Sequence, residues 1–270
     1  MGKPVNRVLF VNSEIMPFLP ETPISKIGRC LPQGIQERKK EIRAFMPRYG
    51  CINERKNQLH EVIRLSGMNI IIGDVDRPLV IKVASISSAR IQVYFIDNDD
   101  YFTKRLMGLD ENNVPYEDNG ERAVFFARGV LETVKKLRWI PDIIHCQGWM
   151  SHIIPIYVKT AYCDEPSFAN TKVVTSIFGN QLEGVVCDDF RDCLSFRSAT
   201  PELIASYPDD FTYSELDKMA IEYSDAVVEA TPDVSQDMVK FIAESGKPHL
   251  AYPGENFGQA YADFYETLLS

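Results

Sequence analysis

The pattern that most constrains this chain is an alternation of short apolar runs, too short to be helices, with longer segments in which apolar residues recur every three or four positions. Within the run at residues 7–12, Val8 to Val11 are continuously apolar, without the polar alternation of a strand that keeps one face in water. Such a strand needs cover on both sides. The pattern therefore predicts an α/β fold, a doubly wound, mostly parallel Rossmann-like sheet with helices on both faces. Strands are expected at residues 7–12, 41–45, 90–96, 143–145, 173–177 and 226–230. Helices are expected at 24–38, 121–137, 151–162, 214–223, 235–244 and 258–269. Segments 59–65, 69–72 and 79–85 alternate in the strand period and predict an added β-hairpin region. The loop at 13–23 holds Pro17, Pro20 and Pro23 and is excluded from regular structure.

At 270 residues and 45% apolar content, the chain has enough material for one large core, and residues 1–270 read as a single domain. The net charge of −9 disfavours a nucleic-acid partner, because phosphate neutralisation needs clustered Lys and Arg. Residues 1–7 are polar and the apolar run at 8–11 is too short for a signal core, so a cytoplasmic location is expected. No stretch of about eighteen apolar residues exists to cross a membrane. The six cysteines are scattered without a Cys-x-x-Cys pair, and with few histidines beside them they read as packed free thiols. No metal and no cofactor are expected. Signatures of dinucleotide, nucleoside-triphosphate, serine-hydrolase and zinc-protease sites are missing as well.

In open α/β sheets ligands settle beyond the carboxyl ends of the strands. That rule singles out the loops at 12–23, 97–105, 145–151 and 178–184. The most informative of these follows Pro141-Asp142-Ile143-Ile144-His145-Cys146-Gln147-Gly148-Trp149, a buried strand running into a polar loop.

This run resembles the strand end of glycogen and starch synthases, which reads Pro-Asp-Ile-Val-His-x-His-Asp-Trp-His. Pro141, Asp142, His145 and Trp149 match it, whereas Gln147, Gly148 and Met150 differ. Further runs carry the same likeness in order: Phe10 to Glu14 with Pro17-Phe18, Leu31-Pro32, Arg43 to Gly50, Val93 to Asn98, Tyr101-Phe102 with Arg105, and Tyr116 to Arg122. The resemblance implies the N-terminal half of a two-domain GT-B glycosyltransferase of glycogen biosynthesis, a family that transfers glucose from ADP-glucose to an α-1,4-glucan. The second GT-B domain is expected to be absent, with the helix at 258–269 taking the place of the one that crosses back in the family.

By the same resemblance, Glu14, Asp118, Asn119, His145, Gln147 and Trp149 are the candidate substrate-binding residues, and no catalytic residue is assigned. The family's first loop reads Lys-x-Gly-Gly-Leu around the donor diphosphate, and in register its positions here are Pro20, Thr22, Pro23 and Ile24. Proline offers neither charge nor N–H, and Cβ atoms block close backbone approach. The family's His-Asp pair is Gln147-Gly148, and Gln still hydrogen-bonds a hydroxyl. A further family histidine, near the transferred glucose, corresponds to Phe178, and its neighbouring Asn to Gly179.

Several of these residues also have purely architectural readings. His145 is either a structural histidine or part of a polar cleft, and Trp149 is either core or wall. Glu14 lines the cleft or caps a turn, and Asp118 with Asn119 caps the helix that follows. Asp97 to Asp100 hold a ligand or are solvated acids. The implied partners are ADP-glucose or an α-glucan, and a full-length synthase or a second copy of the chain. The functional classes are thus an ADP-glucose glucosyltransferase, a non-catalytic glucan-binding or regulatory module, and a self-associating storage-granule protein.

Overall fold

The computed structural model describes residues 4–179 and 182–269. It is an α/β structure whose central, mostly parallel sheet is flanked by helices. In chain order the strands are β1 Arg7–Asn12, β2 Glu41–Pro47, β3 His60–Glu61, β4 Met68–Ile72, β5 Val75–Ile86, β6 Ile91–Asp97, β7 Ile143–Gln147, β8 Lys172–Ile177, β9 Ala226–Glu229 and β10 His249–Leu250. Their spatial order is β10-β9-β8-β7-β1-β2-β6-β5-β3, with β4 paired to β5. Strands from β10 to β6 run parallel, while β5 is antiparallel to β6.

The helices are α1 Pro23–Glu37, α2 Glu54–Asn57, α3 Asn119–Leu137, α4 Ile154–Lys159, α5 Phe190–Leu194, α6 Tyr213–Tyr223, α7 Gln236–Glu244 and α8 Phe257–Leu269. In α1 the buried residues Ile24, Ile27, Leu31 and Ile35 recur at helical spacing and turn one stripe to the sheet. On β1, Val8 to Val11 are fully buried, as the continuous apolar run requires. Burying side chains of this kind is worth about 1.5–3 kcal/mol each, which makes β1 the anchor of the core.

Two expectations needed revision. The segment at 59–65 forms only the two-residue β3, because Leu65 and Ser66 turn back to hydrogen-bond the Val62 carbonyl. The hairpin itself is β4–β5, joined by Gly73-Asp74 with Gly73 at φ 56°, a two-residue loop that needs a left-handed first position. The helix expected at 151–162 is split into a 3-10 turn at Trp149–Ser151 and the short α4. Pro155, which lacks an N–H, opens the second piece.

Strand β7 also runs further than the apolar pattern suggested, through Gln147, so Cys146 and Gln147 are strand residues paired with Val11 and Asn12. The chain winds from β1 outward through β2 to β6, then returns to β7 on the other side of β1 and winds outward again. The junction of β1 with β7 is therefore the topological switch point, where a crevice opens at the strand ends.

Candidate functional site

At the switch point the ends of β1 and β7 are tied together. The Ser13 N–H donates to the Gln147 carbonyl at 2.8 Å, and the Ser13 hydroxyl accepts from the Met150 N–H at 3.0 Å. Gly148 sits at φ 83°, and a Cβ there would lie 2.6 Å from Ser13 Oγ. Only glycine fits both the dihedral and the space. The residue in the place of the family's Asp is therefore fixed by the local frame, and it presents no side chain to a ligand.

The loop after β1 is closed upon itself. Thr22 is the N-cap of α1: its hydroxyl accepts from the Ser25 N–H at 3.0 Å and donates to Glu14 Oε2 at 2.6 Å. Ser25 completes a capping box, its hydroxyl accepting from the Thr22 N–H and donating to the Pro20 carbonyl, each at 2.8 Å. Pro23 has no N–H to offer. The donors that a helix start would turn to an anion are thus partly removed and partly taken up within the chain. Burial pushes the Glu14 carboxyl above its ordinary range, with the Thr22 hydrogen bond working in the opposite direction.

Beyond this loop a cleft of about 940 Å³ lies between the start of α1 and the segments after β9 and β10. Glu21, Lys26, Asp233, Tyr252, Glu255 and Phe257 line it. A smaller recess of about 210 Å³ is lined by Glu14, Thr22, Ile24, Phe178, Thr231 and Asp233. Among the described residues no ion pair engages Lys26. The walls thus set several carboxylates against one ammonium, a field that repels a diphosphate and suits hydroxyl donors. Phe178 is buried, the Gly179 N–H donates to Thr231 Oγ1 at 2.9 Å, and a Cβ on Gly179 would collide with Asp233. The loop at 178–184 starts here, and its residues 180 and 181 lie outside the described residues.

Of the candidate residues, Glu14 faces the recess. His145 is fully buried, hydrogen-bonded through Nδ1 to the Tyr265 hydroxyl of α8 at 2.5 Å and through Nε2 to Ser176 Oγ at 2.8 Å. Burial lowers its pKa to about 3, so it is a neutral ring at physiological pH. Gln147 is fully buried at the end of β7, and both its amide oxygen and nitrogen lack protein partners among the described residues.

Asp118, Asn119 and Trp149 belong to a different cluster. The Asn119 amide donates to the Gly108 carbonyl at 2.8 Å and to the Tyr213 hydroxyl at 2.7 Å, and its oxygen accepts from Arg122 Nη1 at 2.6 Å. Trp149 packs edge-on against the same Tyr213 ring, centroids 5.3 Å apart. The guanidinium of Arg122, fully buried, also donates to the Tyr101 and Leu106 carbonyls and lies over the Tyr116 ring. Asp118 makes no side-chain cap bond; it accepts from Arg105 Nη2 at 3.3 Å. The acidic run after β6 is folded in a similar way: Asp97 pairs with Lys82 at 2.7 Å, and Asn98 Oδ1 accepts from the N–H groups of Asp100 and Tyr101.

The six candidates therefore divide among the cleft, the sheet interior and the α3 node. Sequence reasoning noted Lys26 beside the first loop and missed Thr231, Asp233, Tyr252 and Glu255 on the cleft wall. The signal existed: Ala230-Thr231-Pro232-Asp233 is one more polar loop at a strand end, and Tyr252-Pro253-Gly254 is a turn after another.

Comparison with known proteins places this geometry. A family profile described as the starch synthase catalytic domain matches residues 7–250. The chain is 36% identical over 201 residues to a glycogen synthase of Chlorobium limicola, covering 74% of this chain and 40% of that protein. It is 30% identical over 233 residues to a glycogen synthase of Chlorobaculum parvum, covering 86% of this chain and 47% of that protein. The chain thus spans less than half the length of these curated relatives. In architecture it matches the catalytic domain of starch synthase IV from Arabidopsis thaliana, solved bound to ADP and acarbose, with a TM-score of 0.71 at 13% identity. That match covers 93% of this chain and 51% of the other.

Proposed function

The chain belongs to the starch synthase catalytic domain family, and from that premise we propose that it serves α-1,4-glucan metabolism as a glucan-binding, synthase-like domain. The observation that supports this reading is the contrast within the cleft between abundant hydroxyl and carboxylate groups and a scarcity of anion donors. Glu14, Glu21, Asp233, Tyr252 and Glu255 offer the hydrogen-bonding groups that sugar hydroxyls use. The entry loop caps its own helix instead of leaving its amides free.

Glucosyl transfer from ADP-glucose depends on stabilising the departing diphosphate, and loss of one positioned donor commonly costs about 2.7–4 kcal/mol. In this reading the groups that stabilise it come from outside residues 4–269, in a second domain or a full-length synthase, and these residues supply the acceptor side. Isothermal titration with maltooligosaccharides and separately with ADP-glucose tests this. Saturable binding of maltooligosaccharide with none of ADP-glucose is expected. ADP-glucose binding, with ADP released when glycogen is added, makes the chain a transferase in its own right and ends this reading.

A further inference from the structure

Away from the cleft, the segment that returns from the 178–184 loop brings together side chains that none of the reasoning above uses. Cys187, Asp189 and Cys193 present two sulfurs and a carboxylate oxygen, all within 4.8 Å of one another. Both cysteines are buried and reduced, whereas Asp189 is exposed. The Cys193 thiol donates to Asp189 Oδ1 at 3.5 Å. Asp189 immediately precedes α5, without a side-chain cap bond, and Cys193 lies four residues on, so one helical turn sets their common face. Cys187 packs against Gly120 in the first turn of α3, where a Cβ would collide with its sulfur. Phe190 touches the same glycine and stacks on Phe211 at 4.2 Å, which holds the backbone of the segment in place.

Two thiolates and a carboxylate form a donor set for a borderline-soft divalent cation. A tetrahedron with metal–sulfur bonds of about 2.3 Å and a metal–oxygen bond near 2 Å has edges of roughly 3.5–4 Å, the spacing these atoms already approach. We propose that Cys187, Asp189 and Cys193 form a zinc-class metal site, with a water on the exposed side as fourth ligand. Binding replaces two S–H protons, which leave to solvent while the metal stays divalent, so no oxidant or reductant takes part. An occupied site ties Cys187 to the first turn of α5, while Cys187 keeps its packing against Gly120 of α3.

Titration of the fully reduced chain with Zn²⁺ alone, and with Co²⁺ as a spectroscopic stand-in, tests the site. The expected result is one Zn²⁺ per chain, with the Co²⁺ form showing thiolate charge-transfer absorption and the intense visible bands of a tetrahedral ion. Mg²⁺ and Ca²⁺ are not expected to compete. Binding is lost in Cys187→Ser/Cys193→Ser. If that double variant does not fold, Asp189→Asn, altered only at an exposed group, still decides the matter by weakening Zn²⁺ binding about 10- to 100-fold, the range produced even by outer-sphere changes. Absence of Zn²⁺ binding overturns the proposal. So does binding that survives in the double variant, which would place the ion on Cys30, Cys51 or Cys163, and so does an octahedral Co²⁺ spectrum.

Discussion

The α3 node and the cleft are built on opposite terms. In the node, Asn119 bonds both Arg122 and Tyr213, Trp149 packs on Tyr213, and Asp118 pairs with Arg105 beside them. In the cleft and its recess, the motif resemblance implies changed residues: Thr22 and Pro23 for the glycine pair and Phe178 for a histidine. Asn119, Arg122 and Tyr213 hold the fold, whereas the implied changes fall on the wall of the cleft. Membership of a family fixes the architecture of this chain more firmly than its chemistry.

That contrast breaks most readily at Asn119. Replacing it by alanine leaves the buried Arg122 guanidinium short of a partner and the Tyr213 hydroxyl without its donor. Leaving a buried polar group without its hydrogen-bond partner costs about 1–3 kcal/mol, and more when the group is charged. Chemical denaturation of Asn119→Ala is expected to show a loss of that order, and a change below about 1 kcal/mol would mean that the node is no frame.

Next in size is the acid limb of stability, which probes His145 as a frame residue. Its folded pKa is lowered from 6.5 to about 3, so the unfolded chain binds the proton more readily between those values. Stability contributed by the neutral ring is full above pH 6.5 and is lost as pH falls toward 3, on the order of a few kcal/mol. His145→Gln should lack this component of the denaturation profile. A profile identical to that of the parent chain would place His145 in contact with solvent.

On the cleft side smaller effects are expected. Thr22→Ala removes the cap of α1, at a cost of about 0.5–2 kcal/mol by thermal or chemical unfolding. It also frees the Ser25 N–H, so any gain in ADP-glucose affinity measures how far self-capping had excluded the anion. Glu14 provides the finest comparison. Its folded pKa is raised by burial, so its contribution to stability is present below the ordinary carboxylate range and lost as pH rises through the shifted value. Glu14→Gln is expected to be slightly more stable than the parent at pH 7, with the gap closing in acid. A variant less stable at pH 7 would show that the Thr22 hydrogen bond outweighs desolvation.

Much of the fold was legible in the sequence, because a parallel sheet writes its strands as continuous apolar runs. The strand at residues 7–12 and the helices ending at Leu137 and Tyr223 lie where the pattern put them. The split before α4 and the two-residue β3 were not legible, since turn hydrogen bonds at Val62 and the chain start at Pro155 depend on local geometry that periodicity does not encode. For the candidate site, the strand-end rule pointed to the loops after β1 and β8, which border the recess that Glu14 lines, while the family likeness named residues that the fold scatters. It did not foresee that Asn119 would bond Tyr213, 94 positions away, or that His145 would bond Tyr265 of the final helix. Cys187 and Cys193 read as unrelated thiols because no motif marks a spacing that one turn of α5 closes.

The account rests on an entry loop that keeps its amides for its own helix. The most direct test is a crystal structure of the chain soaked with ADP-glucose. The account predicts no phosphoryl oxygen within hydrogen-bonding distance of the main-chain amides of residues 20–24, with the Thr22 hydroxyl still bonded to Glu14 and the Ser25 N–H. Diphosphate oxygens held by those amides, with the Thr22 cap displaced, would contradict it.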